Sequence, residues 1–386
     1  MIEILIHWAR VGGGFILAVF LANFNEAKVG DYTLPDNFEN KQQAIEAFEK
    51  NVYGAYPKEA LIPEIEVLEE GSAFEGLATR KQVRLSYAQS GAELHLQLLM
   101  YTPVQPPEVA QVDGEEKGYP VVVMYNLEGN HTIINDEDVV PSTVYEKRLP
   151  GVVKKFFEKQ RGKKIAKEHV PIEQLLKEGF AVATLYYGDV DPDYDDGFKN
   201  GMHALYREYT DREDYPGSMS AWAWGLSRVA DYLETEAHFD KERIGLFGFS
   251  RLGKAALWAA ANDERFKVVI SDSSGLGGAG LARRNFGETV HLITYRFPHW
   301  FTGQYAEYAG REQELPVDQH QLLGLIAPRS VLISVATHDA WSDPRGEVEA
   351  VEASESESVH SVVHDGKHAV TEEEWADYLV FLKNQL

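Results

Sequence analysis

Apolar and polar residues change their spacing partway along the chain, and the change divides it into two patterns. Between Thr79 and Tyr101 they alternate in two runs joined by Ser90-Gly91, which predicts a hairpin or meander of antiparallel strands. From Tyr119 onward, short continuous apolar runs alternate with stretches in which apolar residues recur at helical spacing. This second pattern is typical of βαβ units that build a mostly parallel sheet.

The predicted elements follow one another closely. Strands are predicted at Pro120–Tyr125, Phe180–Tyr187, Arg243–Phe247, Phe266–Ser271, Ser330–Ala336 and Ser358–Val363. Helices are predicted at Lys41–Val52, Pro171–Gly179, Ser218–Glu236 and Thr371–Leu386, and Pro103–Lys117 is predicted to be a loop. Long insertions, 126–170 and 275–328, follow predicted strands, where such sheets carry binding residues. We therefore predict one α/β domain over residues 23–386.

Residues 1–22 are predicted to be a signal or an N-terminal extension. The apolar run Gly12–Ala22 follows Arg10 and is too short to span a bilayer comfortably. It resembles the apolar region of a secretory signal, although Glu3 lies in the segment before it and no clear cleavage site follows. A packed or non-native extension is the alternative. We expect the protein to be secreted or periplasmic.

Charge narrows the class of partner. The 386 residues include 61 acidic and 37 basic ones, for a net charge of −24. A nucleic-acid partner is therefore not expected, because phosphate binding needs a basic surface. We expect no membrane partner either, and an anionic substrate would need a local basic pocket. The chain has no cysteine, which excludes disulfides and thiolate chemistry.

The stretch Ile244–Asn262 is the main candidate for chemistry. An apolar strand turns sharply at Ser250 and continues as an Ala-rich helix. A serine on such a turn exposes its hydroxyl beside the helix N-terminus, which is the geometry of an activated nucleophile. Leu252 stands where the second glycine of a G-x-S-x-G turn is expected, and Gly253 follows it. The alternative is a tight turn with an incidental serine.

A serine nucleophile needs a base, usually a histidine. Where the chain order is serine, then acid, then histidine, the histidine lies on the loop after the last strand. His368 stands between the last predicted strand and the last predicted helix. His360 and His364 are rivals, but both fall within that strand or at its end. We predict that His368 is the general base.

The acid that orients the histidine is expected after the strand before the last one. Asp339 lies where that strand ends. Asp343 precedes Pro344, and an Asp–Pro pair is a common way to begin a helix. We predict that Asp339 is the acid and that Asp343 is a helix cap.

Arg251 and Lys254 flank the serine and lie within one helical turn of it. They are either solvated helix surface or a local anion site in an acidic protein. The backbone N–H of Arg251 is also placed to donate to an oxyanion.

A metal site is not expected. The acidic loop Asp189–Gly197 is similar to a calcium loop, but Tyr194 replaces the turn glycine, and Asn200 stands where a bidentate glutamate belongs. We interpret it as a solvated acidic loop and predict no metal and no cofactor.

Several short motifs follow one another along the chain. They are Leu127–Thr132 (LEGNHT), Tyr186–Asp189 (YYGD), Gly248–Lys254 (GFSRLGK), Arg283–Glu288 (RRNFGE), Phe297–Phe301 (FPHWF), Leu315–Pro328 (LPVDQHQLLGLIAP) and Trp341–Glu347 (WSDPRGE). In this order they resemble carbohydrate esterase family 15, the glucuronoyl esterases, and particularly their bacterial branch. The resemblance covers the chain from about Asn23 to its end.

The resemblance implies an α/β-hydrolase fold, a three-layer sandwich around a mostly parallel sheet. It implies Ser250 as nucleophile, His368 as base and Arg251 as an oxyanion residue. The implied substrates are esters of 4-O-methylglucuronic acid, as in the cross-links between xylan and lignin. An acetyl-xylan esterase or general carboxylesterase, and a catalytically impaired carbohydrate-binding homologue, are the alternatives.

The resemblance also implies substrate-binding residues and one departure. Lys254 is expected at the uronate hydroxyls, Glu288 at the sugar, and Trp341 on the substrate side. Many family members carry the acid as a glutamate after the strand that follows the nucleophile, where this chain has Ser273. Asp272 is adjacent, but its side chain is expected to point elsewhere. The family's alternative position for the acid corresponds to Asp339, the residue that chain order also predicts.

Overall fold

The computed structural model describes residues 22–59, 61–104, 111–112, 115–116, 118–142, 144–149, 152–156 and 169–386. The extension predicted at residues 1–22 lies outside these residues except for the last one, so it stays a prediction. Within the described part, no helix is long and apolar enough to cross a bilayer.

The strands are numbered in chain order. They are β1 (Glu64–Ala73), β2 (Ala78–Gln89), β3 (Ala92–Pro103), β4 (Gln111–Val112), β5 (Glu115–Glu116), β6 (Tyr119–Asn126), β7 (Val144–Leu149), β8 (Val152–Phe156), β9 (Ala181–Tyr186), β10 (Phe239–Phe249), β11 (Phe266–Asp272), β12 (Ser330–Ala336) and β13 (Val359–His364).

The helices are numbered in the same way. They are α1 (Lys41–Phe48), α2 (Ile172–Lys177), α3 (Tyr187–Val190), α4 (Gly201–Leu205), α5 (Arg207–Thr210), α6 (Ser218–Leu233), α7 (Arg251–Asn262), α8 (Val290–Arg296), α9 (Gly303–Ala306), α10 (Gln319–Ile326), α11 (Pro344–Ala353) and α12 (Glu372–Gln385). Short 3₁₀ segments occur at Glu26–Lys28, Phe74–Gly76, Asn130–Thr132, Ala282–Arg284 and Glu312–Glu314, and a π turn at Glu49–Tyr53 continues α1.

One large sheet organises the molecule. Its strand order is β1-β2-β3-β9-β6-β10-β11-β12-β13. The pairs β1–β2, β2–β3 and β3–β9 are antiparallel, and every pair from β9 to β13 is parallel. The predicted change from an antiparallel start to a parallel remainder is confirmed.

The first strand, β1, was not predicted. Its burial does not alternate regularly, because all four residues from Glu64 to Val67 are exposed. Exposure on both faces is common in a strand at the edge of a sheet. The hairpin between β2 and β3 turns at Ser90 and Gly91, both with positive φ, as the sequence predicted. The predicted loop at Pro103–Lys117 contains the short pair β4 and β5.

Alternate residues of the central strands enter cores on opposite faces of the sheet. In β6, Val121 and Val123 belong to the core that contains α6 and α7. Val122 and Met124 belong to the core that contains Trp375 of α12. A parallel strand buried on both faces reads as a continuous apolar run, which is the pattern of the sequence. The result is the helix–sheet–helix sandwich of the α/β-hydrolase fold.

The sheet also determines where chemistry can occur. Ser250 follows β10, Asp339 follows β12 and His368 follows β13. Because these strands are parallel, their carboxyl ends meet at one edge of the sheet, and the loops that follow them converge there.

Candidate active site

The turn between β10 and α7 holds Ser250 in a strained conformation. Its backbone φ is 57° and its ψ is −126°, a region that residues other than glycine rarely adopt. A Cβ at Gly248 would lie 2.3 Å from Leu252 O, and one at Gly253 would lie 2.7 Å from Ser271 Oγ. Strand and helix therefore approach too closely for a side chain at either glycine. This explains why the second glycine is needed at 253, while Leu252 packs into the core.

The three residues predicted to form a triad lie together. His368 Nε2 is 2.9 Å from Ser250 Oγ, and His368 Nδ1 is 2.6 Å from Asp339 Oδ2. The ring of Phe249 packs beside the imidazole, with 4.7 Å between centroids. When Nδ1 donates its proton to the carboxylate, Nε2 presents a lone pair to the serine hydroxyl, as a general base must.

The rival histidines do not reach the serine. His360 is exposed on β13 and packs beside Phe381. His364 packs beside Tyr378 and lies 4.0 Å from Asp377 Oδ2. Both contact the last helix, α12, rather than the nucleophile.

Asp343 has a different partner from Asp339. It immediately precedes α11 with Pro344 as the first helical residue, as predicted, but its side chain makes no capping hydrogen bond. Both of its carboxylate oxygens accept from Arg284 Nε, at 2.9 and 3.0 Å. Burial raises the pKa of Asp343 above its ordinary value. Asp343 is therefore the N-cap residue of α11, as predicted, but its carboxylate pairs with Arg284.

Asp272 also faces away from the histidine, as expected. Its Oδ2 lies 3.0 Å from the Tyr378 hydroxyl, which belongs to α12 on the far side of the sheet. Its backbone carbonyl accepts from Ser250 N at 2.8 Å and so supports the nucleophile turn. Ser273, at the position where many relatives carry the acid, is buried.

Arg251 is held by a largely buried carboxylate, that of Asp193. Its guanidinium forms an ion pair with Asp193 and lies over the Trp300 ring, 4.9 Å from the centroid. Asp193 also accepts from Trp300 Nε1 at 2.7 Å, His299 Nε2 at 2.9 Å and the Tyr187 hydroxyl at 2.9 Å. Burial would raise the pKa of Asp193, but the charge of Arg251 and these donors hold it well below its ordinary value. Arg251 is therefore fixed beside the nucleophile.

The acidic loop is consequently not merely solvated, and that interpretation is wrong for Asp193 and for two more of its residues. Asp189 is half-buried, its Oδ2 accepts from Gln97 N at 3.3 Å, and burial raises its pKa to about 7. Asp191 is buried and accepts from Ser218 Oγ at 2.6 Å, and its other oxygen lies 2.8 Å from His203 Nδ1. Asp195 and Asp196 accept from nearby backbone N–H groups in the turn that follows. Sequence spacing did not show that one end of the loop is folded under the site. Among the described residues, no group of three or more acidic, histidine or cysteine side chains is arranged to hold a metal ion.

Lys254 is buried behind the nucleophile. Its ammonium donates to Ser274 O at 2.5 Å and to Leu276 O at 2.6 Å, and it lies 3.5 Å from Glu288 Oε2. Burial lowers the pKa of Lys254, and the negative charge of Glu288 opposes that shift. Two of the three N–H groups of the ammonium thus donate to backbone carbonyls, and Glu288 lies within reach of the third. The two side chains form a buried ion pair.

Trp341 borders the same region. Its backbone carbonyl accepts from Glu288 N at 2.9 Å, and its ring is half-buried. The guanidinium of Arg296 lies 5.6 Å from the ring centroid. Arg296 was not predicted as a site residue, although it directly precedes the motif Phe297–Phe301. With Arg251 and Lys254, it places three basic side chains around the nucleophile, two of which are paired with carboxylates.

Glu347 is a second residue that sequence reasoning did not single out. It is fully buried, and its Oε1 accepts from Ser274 Oγ at 3.0 Å and from Gly275 N at 2.8 Å. Burial raises the pKa of Glu347 well above its ordinary value. It ties the loop after β11 to α11, and its place in the motif Trp341–Glu347 was the available signal.

Known proteins are similar to this chain over almost its whole length. A family model described as fungal glucuronyl esterase matches residues 164–360. Carbohydrate esterase MZ0003, from an unknown prokaryotic organism, is 35% identical over an alignment of 411 positions, which covers 94% of this chain and 92% of that protein.

Solved structures agree. The glucuronoyl esterase of Solibacter usitatus is 33% identical with a TM-score of 0.83, covering 94% of this chain and 100% of that one. A promiscuous esterase of carbohydrate esterase family 15 from a marine bacterial metagenome is 33% identical with a TM-score of 0.81, covering 95% of this chain and 100% of that one.

Proposed function

Because the chain belongs to carbohydrate esterase family 15, within its bacterial branch, we propose that it is a serine esterase that hydrolyses esters of glucuronic acid or 4-O-methylglucuronic acid. The observation that carries the mechanism is the continuous line of hydrogen bonds from Ser250 through His368 to Asp339. The substrates are those of lignin–xylan cross-links in glucuronoxylan.

The reaction proceeds through an acyl-enzyme. Ser250 Oγ attacks the ester carbonyl while His368 Nε2 takes the hydroxyl proton, and Asp339 stabilises the imidazolium that forms. When the tetrahedral intermediate collapses, the carbon–oxygen bond to the alcohol breaks and His368 returns the proton to the leaving oxygen. Water then attacks the acyl carbon while His368 takes a proton from it. When the bond to Ser250 Oγ breaks, His368 returns the proton to the serine, and the uronic acid is released.

The oxyanion forms next to Arg251. Arg251 is the first residue of α7. Backbone N–H groups in the first turn of a helix have no hydrogen-bond partner within the helix, so that of Arg251 can donate to the oxyanion. Its guanidinium, fixed by Asp193, adds a positive charge that needs no reorganisation during the reaction. Arg251 therefore serves the developing negative charge with both its backbone and its side chain.

The pair of Lys254 and Glu288 serves the sugar. A donor and an acceptor 3.5 Å apart can together bind neighbouring hydroxyl groups of a pyranose ring. Trp341, hydrogen-bonded to Glu288 through the backbone, supplies a ring against which the sugar can pack. These contacts favour a uronate ester over a simple acetate.

A panel of esters tests this function. Wild-type protein and Ser250→Ala are compared on benzyl glucuronate and on 4-nitrophenyl acetate, with Ser356→Ala as a half-buried serine control outside the site. We expect wild type and Ser356→Ala to prefer the uronate ester. Ser250→Ala should lose roughly four to six orders of magnitude in kcat.

Two outcomes would contradict the proposal. A clear preference of the wild type for the acetate would indicate a general carboxylesterase. Binding of uronate-bearing xylo-oligosaccharides without turnover of any ester would indicate an impaired binding protein.

We also propose that the enzyme acts outside the cytoplasm. Polymeric glucuronoxylan does not cross membranes, and the apolar run Gly12–Ala22, which lies outside the described residues except for its last one, resembles an export signal. Expression of the full chain in a bacterial host followed by fractionation is the measurement. Protein found only in the cytoplasm, at its full mass, would contradict export.

A further inference from the structure

A series of stacked rings and guanidinium groups leads from the nucleophile towards the protein surface. Arg251, next to the serine, lies over Trp300 at 4.9 Å. Trp300 stacks on Phe297 with 3.9 Å between centroids and an angle of only 6° between ring planes. Arg296 then lies 5.1 Å from the centroid of Phe297.

The series continues to a residue near the N-terminus of the described chain. Arg296 also lies 5.6 Å from Trp341, and Trp341 packs on Phe24 with 5.4 Å between centroids. Phe24 remains 45% exposed, so it is the open end of the series. The site is thus continuous with an accessible aromatic ring that none of the sequence motifs contains.

Phe24 is held in place on both sides. The carbonyl of Asn23 accepts from Gly287 N at 2.7 Å, and Asn23 Nδ2 donates to Asn285 O at 2.9 Å. On the other side, Glu26 accepts from Arg284 at 2.7 Å. The segment that carries Phe24 is therefore attached to the chain just before Glu288.

Gly287 makes this attachment possible. Its φ is 66°, and a Cβ there would lie 2.5 Å from the backbone carbonyl oxygen of Trp341 and 2.6 Å from that of Ala340. The N-terminal segment, the residue before Glu288 and the Trp341 loop can meet only because position 287 has no side chain. The ring of Phe24 is thereby placed directly on Trp341.

The proposed function orients a substrate along this series. The ester carbonyl lies at Ser250, and the uronate hydroxyls lie at Lys254 and Glu288. Phe24 is reached through Trp341, whose backbone is bonded to Glu288, so it lies beyond the uronate ring. The leaving alcohol, by contrast, departs from the carbonyl carbon beside His368.

We propose that Phe24 and Trp341 form a subsite for a xylose ring of the chain that carries the uronate. The faces of a pyranose ring present C–H groups, which pack well against exposed aromatic rings, and a fixed ring loses little conformational entropy on binding. This inference rests on the proposed function, since that function locates the uronate. It assigns to the N-terminal segment a part in recognising the polysaccharide.

The test compares two esters that differ only in their sugar part: benzyl glucuronate, and the benzyl ester of glucuronic acid linked to xylotriose. We expect Phe24→Ala to lower kcat/KM on the xylotriose-linked ester roughly three- to tenfold, mostly through KM, as for the loss of one ring-stacking contact. On benzyl glucuronate the change should be smaller than about twofold. Phe24→Trp should keep the preference for the longer substrate.

Val67→Ala is the matched control, because Val67 is an exposed apolar residue (54% exposed) on β1 at the edge of the sheet that begins the strand order. It should leave both esters unaffected. Equal losses of Phe24→Ala on both esters would overturn the subsite and make Phe24 a support for Trp341. An effect that instead follows the alcohol, in a series of aromatic and aliphatic glucuronate esters, would place the leaving group on Phe24.

Failure of the proposed function would look different, since wild type would then hydrolyse neither ester. In that case calorimetric titration of glucuronosyl-xylotriose into Ser250→Ala, with and without Phe24→Ala, still decides the subsite. Equal affinities would overturn it, and affinity weakened by Phe24→Ala would support it.

Discussion

The neighbouring strands β11 and β12 end side by side, with one aspartate as the last residue of β11 and another in the loop that follows β12. Asp339, after β12, turns to His368 and lies 2.6 Å from its Nδ1. Asp272, at the end of β11, turns through the sheet to Tyr378. Both carboxyl groups are buried, with 4% and 1% exposure. Burial and position at the strand ends therefore do not distinguish them, and the direction of the side chain does.

The surroundings of Asp272 also disfavour a negative charge on its carboxyl group. Burial raises the pKa of Asp272 well above its ordinary value, and the nearby carboxylate of Glu374 adds to the shift. A neutral carboxyl group beside a tyrosine hydroxyl is a structural hydrogen-bonding group. Only an ionised carboxylate that faces the imidazole can stabilise the imidazolium formed during the reaction.

The loop after β11 presents no carboxylate to His368 and is held by other contacts. Ser342 Oγ donates to Ser273 O at 3.0 Å and lies 3.4 Å from His368 Nδ1. Glu347 accepts from Ser274 and Gly275 in the same loop. The neighbouring loops are thus tied together, and in this chain only the loop after β12 supplies an acid to His368.

The largest expected effect is that of removing the acid. Asp339→Ala should lower kcat by about three to four orders of magnitude on benzyl glucuronate, because His368 loses the group that sets its tautomer. Asp343→Ala, which removes the partner of Arg284, should cost less than about tenfold in kcat, and its main effect should be a lower melting temperature. Equal losses of kcat, or the reverse order, would show that Asp339 is not the acid.

A smaller effect is expected from moving the acid to the other loop. Adding Ser273→Glu to Asp339→Ala should restore roughly tenfold of the lost kcat, because the backbone of Ser273 is bonded to Ser342 beside His368 Nδ1. Ser273→Gln in the same background is the matched control and should restore nothing, since an amide carries no charge. Equal rates for the two double variants would show that the loop after β11 cannot present an acid to His368.

The smallest effect on activity is expected from Asp272→Asn. Because the folded-state pKa of Asp272 is raised, its contribution to stability is full at low pH and declines as pH rises above the ordinary carboxyl pKa of about 4. Asn does not ionise, so the variant should match the melting temperature of wild type near pH 4 and exceed it near pH 8. Its kcat should stay within about twofold of wild type.

Thermal melts at both pH values, with kcat measured alongside, test this expectation. A melting temperature of Asp272→Asn below that of wild type at pH 8 would show that Asp272 is stabilising as an anion. A large loss of kcat would assign Asp272 a part in the reaction, and the contrast between the two loops would then fail.

Much of the fold followed from local patterns. Parallel strands buried on both faces read as apolar runs, and β12 was predicted with the bounds that the structure shows, Ser330–Ala336. The edge strand β1 was missed, although Glu64–Val67 alternates polar and apolar residues, because this alternation is only four residues long and both faces of that part of the strand are exposed. The role of Gly253 was visible only as an anomaly, since the close approach to Ser271 that requires it is a contact between elements.

For the candidate site, the sequence by itself determined which residues could meet. Chain order places Ser250, Asp339 and His368 after parallel strands, and parallel strands bring such residues to one edge of a sheet. The residues that hold the site were decided by tertiary structure alone. Asp193 beneath Arg251 and Phe24 on Trp341 come from distant segments, and nothing in their local spacing encodes the contact. Sequence periodicity reports which face of an element is buried, whereas the partner on that face is set only when the segments pack.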